Sequence, residues 1–312
     1  MESRNERVNE SLQRGAALIA SHRLHDAIDE VEKALSLDFE NDDVVATLKY
    51  LNFWKDRHHR MVALKDSFER GEYFLAQWGV FQEFAGRIGA VVDVQMNALR
   101  QYVFGEALEQ YRDVYRDQAN RDADLLVRIG RCYKGAGDYD RARRFLHSAS
   151  VQRPEDAEIL AETADVHALV GEISTAKALF REAFFLEARK IDISRLESEL
   201  ITRLVKAVED RGYSGDALLE WIPVFGFLYG VLNVKRELRS IEYGRLKQSI
   251  YELERDLREN AGTRDLVLPR LLNRYFWLID HYVAVKEAPG KVEEVLLKIR
   301  SVDVNVYHQY NA

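Results

Sequence analysis

Apolar residues along this chain recur with the period of an amphipathic helix. Between Leu125 and Pro154 the sequence reads LLVRIGRCYKGAGDYDRARRFLHSASVQRP, and charged residues fill many of the positions between the apolar ones. Spacings of three and four residues place such side chains on one face of a helix. A second stripe spans residues 243–259, with Leu246, Ile250, Leu253 and Leu257. No segment shows sustained strand alternation, so the pattern predicts an all-α protein.

Small residues recur at fixed positions within this helical pattern. When 34 positions are counted from residue 123 and again from residue 157, positions 8, 20 and 27 hold Gly130, Ala142, Ala149, then Ala164, Ala176, Ala183. Small side chains allow two antiparallel helices to approach closely. Large residues at position 24, Leu146 and Phe180, would fill the space between neighbouring hairpins. Gly137 and Gly171 would supply the tight turn between the two helices, where a positive φ favours glycine.

These positions define the tetratricopeptide repeat, and residues 123–156 and 157–190 resemble that family. The resemblance implies a right-handed solenoid of helical hairpins, in which each hairpin packs against its neighbours. Divergent copies on both sides give roughly seven to eight hairpins. We therefore expect one continuous TPR-like solenoid over residues 1–312, with a regular core at about 88–231 and divergent parts at 1–87 and 232–312.

The N-terminal copies are recognised by the same small and large positions. The first copy has Gly15 at position 8, and the third has Ala107 at position 20. Between them, residues 42 to about 70 read as one long helix. Gly71 then predicts a turn, and Ala76 falls at position 20 of a stretched unit.

The C-terminal copies are spaced less regularly. Gly212 predicts a turn, and Trp221 takes position 24 of the helix that follows it. Pro223 should end or bend that helix early, because proline lacks a backbone N–H and clashes with the preceding turn. Thr263 is placed to cap a later helix. The last hairpin should turn at Gly290, with larger residues closing the stack.

The resemblance also implies where a partner would bind. In this family the first helix of each hairpin lines the concave face through positions 2, 5, 9 and 12. Those positions here are Asp124, Val127, Arg131 and Lys134, then Glu158, Ala161, Asp165 and Ala168. One set carries cations and the other carries anions, which suits a peptide or helix of mixed charge. The alternative is that these charges pair with each other and serve only solubility.

A specialised use known in the family can be tested on the same residues. Some members hold the C-terminal carboxylate of a chaperone with a Lys at position 5 and an Asn at position 9. Those places here hold Val127 and Arg131, then Ala161 and Asp165. The chaperone-tail clamp is therefore absent.

Charge and composition narrow the class of partner. The formal net charge of −7 argues against a large phosphate-binding surface and hence against nucleic acid. The longest uncharged apolar run is residues 221–232, short of the roughly 20 residues that span a bilayer. The lone Cys132 excludes an internal disulfide and fits a reducing compartment. No signal peptide is visible, so we expect a cytoplasmic protein, although a chain whose signal had been removed would look the same.

The sequence contains few residues in an arrangement typical of catalysis or metal binding. It contains none of the common nucleotide-binding, zinc-protease, serine-hydrolase or paired-cysteine motifs. His22 and His25 lie beside a predicted turn, and spacing supplies no third ligand, so we expect no metal and no cofactor. Cys132 falls among packing positions of a helix and reads as a structural thiol. The chain is therefore predicted not to be an enzyme.

Aromatic clusters leave one alternative open. Trp221, Phe225, Phe227 and Tyr229 form a candidate hydrophobic patch, which is either core or an exposed surface for docking or self-association as a homo-oligomer. We expect a non-catalytic interaction scaffold that binds a peptide, helix or protein on its concave face. The alternative is a ligand-binding or transport accessory protein with an aromatic-lined pocket in its C-terminal half.

Overall fold

The computed structural model describes residues 4–89, 92–116, 122–259, 262 and 264–312, and it confirms the all-α prediction. These residues form fifteen α-helices and no strand. The helices are α1 (Arg4–Ala20), α2 (Leu24–Leu37), α3 (Asp42–Ala63), α4 (Ser67–Ile88), α5 (Asp93–Arg116), α6 (Ala123–Gly135), α7 (Tyr139–Gln152), α8 (Ala157–Leu169), α9 (Ile173–Glu187), α10 (Glu199–Glu209), α11 (Gly215–Leu228), α12 (Ser240–Glu259), α13 (Arg264–Ala284), α14 (Pro289–Val302) and α15 (Val304–Tyr310).

The chain divides into two compact units, Met1–Ala149 and Ser150–Ala312. One hydrophobic core belongs to the first unit, and it extends from Val8 to Cys132. The other core belongs to the second unit, and it extends from Ala157 to Val306. That all 312 residues form one continuous solenoid stays a prediction.

In the first unit, helices α1 to α5 contact one another in order, and α5 also packs against α1. The side chain of Gln95 on α5 is buried and donates to the backbone oxygen of Leu12 on α1, at 2.8 Å. A stack of hairpins needs contacts between neighbours only. The return of α5 to α1 therefore closes these five helices into a ring, which the sequence did not predict.

Glycines allow the close approach of side chains from neighbouring helices in this unit. A β-carbon on Gly15 would lie 2.9 Å from Val31, and one on Gly130 would lie 2.7 Å from Leu146. A β-carbon on Gly71 would lie 2.6 Å from the ring of Tyr111. The predicted turn at Gly71 is therefore wrong, because Gly71 is buried inside α4 and provides room for the Tyr111 ring on α5.

The boundaries around α3 and α4 also differ from the prediction. The long helix expected over residues 42–70 ends at Ala63, and α4 begins at Ser67. Asp66 explains the break, since its side chain accepts a hydrogen bond from the Glu69 amide at 2.9 Å and so caps the new helix. Ala76 is exposed, so it does not take the buried position assigned to it.

The turns of the central hairpins follow the prediction. Gly137 and Gly171 both have a φ of 84°, in the left-handed region where glycine is favoured. Gly212 has a φ of 90° at the predicted turn between α10 and α11. The turn predicted at Gly290 is wrong, because Gly290 lies in the first turn of α14 and Lys286 adopts the positive φ instead.

In the second unit, α13 packs against α11, α12 and α14 and is buried along most of its length. Pro223 does not end α11, which continues to Leu228. Every residue of α11 from 220 to 227 is buried, so packing offsets the hydrogen bond that proline removes. The cap predicted at Thr263 lies outside the described residues.

A charged pair lies in the core of this second unit. The Arg181 side chain on α9 donates from Nη2 to Asp280 of α13 and from Nη1 to the backbone oxygen of Leu232, the latter at 2.7 Å. Both side chains are almost fully buried. Burial opposes both charges, raising the pKa of Asp280 and lowering the pKa of Arg181. Neither residue stands out in the sequence as a core residue.

Candidate protein-binding surfaces

Helix α6 carries the first set of predicted contact residues. Asp122 begins the helix by accepting a hydrogen bond from the Leu125 amide at 2.9 Å. Asp124 is exposed and Arg131 is half-buried, so both can reach a partner. Val127 and Lys134 are buried, and we therefore remove these two residues from the predicted contact surface.

Helix α8 carries the second set, and half of that set is also buried. Ala161 and Asp165 have no exposed surface. The Asp165 carboxylate accepts hydrogen bonds from the backbone amides of Glu197 and Ser198, at 3.0 and 2.8 Å. A carboxylate held in this way orients the segment that leads into α10, and it cannot meet a basic group of a partner. Glu158 and Ala168 are half-buried and remain accessible.

A charged cluster on α4, α5 and α6 lies next to the α6 residues. Arg128 donates from Nε to the Glu72 carboxylate at 2.6 Å, and the Tyr111 hydroxyl donates to the same carboxylate. Burial tends to raise the pKa of Glu72, but the hydrogen bonds from Arg128 and Tyr111 outweigh it and the net pKa is lowered. Glu72 is therefore an ionised group that ties α4 to α6, and Arg131 adds a further positive charge nearby.

The candidate hydrophobic patch in the second unit is mostly core. Trp221, Phe225 and Phe227 are buried, whereas Tyr229 is 43% exposed. Trp221 stacks on Tyr213 with ring centroids 4.9 Å apart, and it stacks on Phe225 at 5.4 Å. A cleft of about 370 Å³ beside these rings is open to solvent and is completed by α15 residues such as Val306. The rings therefore pack against one another rather than line a closed cavity.

The residues weighed for chemistry have structural partners. His22 Nδ1 lies 2.5 Å from a Glu106 carboxylate oxygen, and the His25 ring meets the His59 ring edge-on with centroids 6.3 Å apart. Within the described ranges no group of three or more His, Cys, Asp or Glu side chains is placed to hold a metal ion. Cys132 is fully buried, and burial raises the pKa of its thiol. A thiol kept protonated in this way is a poor nucleophile.

Sequence reasoning missed one group of basic residues in the first unit. Lys49 and Arg57 on α3 and Arg87 on α4 line an open cleft whose floor includes Phe53 and Phe84. The signal was present, because Lys49, Phe53 and Arg57 are four residues apart and therefore share one helix face. The repeat pattern does not reveal this group, because that pattern depends on small and apolar positions.

No helix in the described part of the chain combines the length and the apolar character needed to cross a bilayer. A family model described as tetratricopeptide repeat matches residues 98–166, which run from within α5 to within α8. No curated protein matches the chain.

Proposed function

Because the chain carries tetratricopeptide repeats at residues 98–166, we propose that it is a non-catalytic scaffold that binds a protein or peptide partner. Repeats of this family generally mediate protein–protein interactions. The family match is the observation that carries the proposal, and the packing of its hairpins supports it. Gly130 faces Leu146 between α6 and α7, as the repeat requires.

The proposed contact residues on α6 are Asp124 and Arg131. They keep an accessible part of the mixed charge that the sequence predicted for the concave face. Helix α8 offers Glu158 and Ala168, although Arg195 already lies 3.4 Å from the Glu158 carboxylate. Complementary charges at such positions steer association and select a partner, with less effect on the stability of the fold. We therefore expect the exposed Asp124 and the half-buried Arg131 to contribute electrostatic selectivity.

The aromatic-pocket alternative receives less support. Three of its four residues are buried against neighbouring rings, and the adjacent cleft is open. A site for a small ligand usually encloses most of the ligand surface. We also propose a reducing, cytoplasmic location, because the buried Cys132 is the single cysteine of the chain.

The experiment compares two charge reversals in the full-length protein. Arg131→Glu should weaken capture of a native partner from lysate by about tenfold or more, because attraction becomes repulsion. The control is Arg141→Glu with Arg144→Glu, two exposed positions on α7, and it should leave capture unchanged. The α7 control should unfold within about 1 kcal/mol of the parent protein, since exposed charges contribute little. Circular dichroism of the Arg131→Glu variant checks that loss of capture is not loss of fold. Loss of capture by the α7 control alone would contradict the proposed surface.

A further inference from the structure

The first unit contains an open cleft of about 460 Å³ between α3 and α4. It lies outside residues 98–166, the part of the chain that the family model matches. Its lining residues are Lys49, Asn52, Phe53, Asp56, Arg57, Val80, Phe84 and Arg87. A volume in this range suits a ligand or peptide segment of a few side chains, since binding pockets span roughly 300–1,000 Å³.

The floor of the cleft is aromatic, and its rings pack against the core of the unit. Phe53 of α3 stacks on Phe84 of α4, with ring centroids 5.0 Å apart and an interplanar angle of 26°. Phe53 also contacts Phe81 at 5.3 Å, and Phe81 is fully buried in the core of the unit. The exposed side chain of Val80 lies beside these rings on α4. The floor therefore offers an apolar surface that the fold already holds in place.

Arg57 is held over this floor by three interactions. Its guanidinium carbon lies 3.4 Å from the centre of the Phe53 ring. Its Nη1 donates to the backbone oxygen of Phe53, and its Nε donates to the Gln77 side chain, both at 3.3 Å. Because the guanidinium is already ordered, a bound anion would cost little further side-chain entropy. The remaining nitrogen, Nη2, is the donor that a bound carboxylate would use.

Two more basic side chains lie at the rim of the cleft. Lys49 and Arg87 are exposed, and neither forms an ion pair within the described part of the chain. Asp56 is the one acidic residue in the lining, against three basic residues. The cleft is thus locally positive although the chain carries a net charge of −7. A local field of one sign in a cleft attracts ligands of the opposite sign.

We propose that this cleft binds an acidic segment of a partner protein, with carboxylates on Lys49, Arg57 and Arg87 and one apolar side chain on the Phe53–Phe84 floor. The proposal rests on the proposed function, because it assumes that the partner is a protein. The positive charge of the cleft favours a segment with acidic residues. The apolar floor favours a segment that also has an apolar side chain, which the phosphate backbone of a nucleic acid does not have.

The test measures fluorescence anisotropy of a fluorescein-labelled Glu-Glu-Leu-Glu-Glu peptide with the full-length chain at low salt. We expect saturable binding, and we expect Lys49→Glu with Arg87→Glu to weaken it by about tenfold or more. The control is Arg7→Glu with Lys65→Glu, which changes the net charge equally at exposed positions outside the cleft. Replacing the central Leu of the peptide by Ser should also weaken binding, by about threefold or more.

Three results would overturn the proposal. The first is no saturable binding of the peptide by the parent protein. The second is equal weakening by the cleft reversal and by the control reversal, which would mean attraction to net charge alone. The third is tighter binding of a single-stranded oligothymidylate probe than of the peptide, which would identify a nucleic-acid site. If peptide binding fails while Arg131→Glu still abolishes partner capture, this inference falls and the scaffold function stands.

Discussion

The α6–α7 hairpin of the first unit and the helices around α13 in the second unit hold together by different means. In the hairpin, Gly130 has no side chain, so Leu146 can approach it to within van der Waals contact. Around α13, large rings fill the interior, and Phe276 stacks on Phe227 with ring centroids 4.2 Å apart. The difference teaches that small residues allow side chains of a neighbouring helix to approach closely, whereas a core filled by large rings can also enclose a charged pair.

The buried Arg181–Asp280 pair lies among the large rings of the second unit. The guanidinium carbon of Arg181 lies about 5 Å from the ring centres of both Phe227 and Trp277. An ion pair enclosed by aromatic rings has lost its water, so each charge depends on the other. Ion pairs at the surface of the first unit, such as Arg116 with Asp113, stay in water, and each contributes about 0–1 kcal/mol.

The largest expected effect comes from breaking this buried pair. Asp280→Ala should lower the free energy of unfolding by about 3–5 kcal/mol, because it leaves the Arg181 charge buried without its partner. Urea unfolding followed by circular dichroism measures the change. As the matched control, Arg181→Met with Asp280→Leu should recover most of the loss, since it removes both charges together. A loss below about 1 kcal/mol for Asp280→Ala would mean that the pair is not isolated from water.

Overpacking a regular hairpin should have a smaller effect. Ala142→Leu or Ala176→Leu should cost about 1–3 kcal/mol, because each alanine is fully buried where two helices meet. Thermal and urea unfolding of the two single variants give the values. Tolerance of both substitutions within error would show that the repeat register is wrong.

Two glycines of α4 provide a sharper test of close approach. Gly71→Ala should destabilise the protein by about 1 kcal/mol, since the new β-carbon would meet the Tyr111 ring. Gly79→Ala on the same helix meets nothing within 4 Å, and it should stabilise by roughly 0.5–1 kcal/mol through helix propensity alone. Equal effects of both substitutions on the unfolding free energy would rule out the packing role of Gly71.

The smallest effect concerns pH. The hydrogen bond to Glu106 raises the pKa of His22 above its ordinary 6.5, although burial partly opposes it. The stabilisation from this pair is therefore fully present below about pH 6.5 and is lost as the pH rises through the raised value. An NMR titration of His22 should show the raised pKa, and Glu106→Gln should lower it. A His22 pKa at or below 6.5 in the parent protein would contradict this account.

The sequence predicted the parts of the fold that depend on local spacing. The helical period, the turns at Gly137 and Gly171 and the close packing at Gly15 and Gly130 follow from residues within one hairpin. The turn predicted at Gly71 is wrong because the side chain that packs against Gly71, Tyr111, lies 40 residues away in the sequence. A regular repeat places the corresponding residues 16 apart, so periodicity could not identify a hairpin of lengthened helices.

The candidate surface was only partly predictable, for a similar reason. Repeat position indicates which side of a helix a residue occupies, and it placed Asp124 and Arg131 on an accessible side. It does not reveal that a distant segment covers that side. Asp165 is buried because the backbone at Glu197 and Ser198 folds onto it. Such contacts depend on how irregular connections fold back, which no spacing within a repeat encodes.

The central claim, that the chain is a scaffold that binds a protein through α6, is tested most directly by site-specific photocrosslinking. A photoreactive amino acid replaces Asp124 in the full-length protein, and in a second sample it replaces Arg144 on α7; both positions are exposed. Irradiation in native lysate followed by mass spectrometry should yield a discrete protein adduct at position 124 and none at position 144. Adducts at position 144 alone, or equal and diffuse adducts at both positions, would contradict the claim.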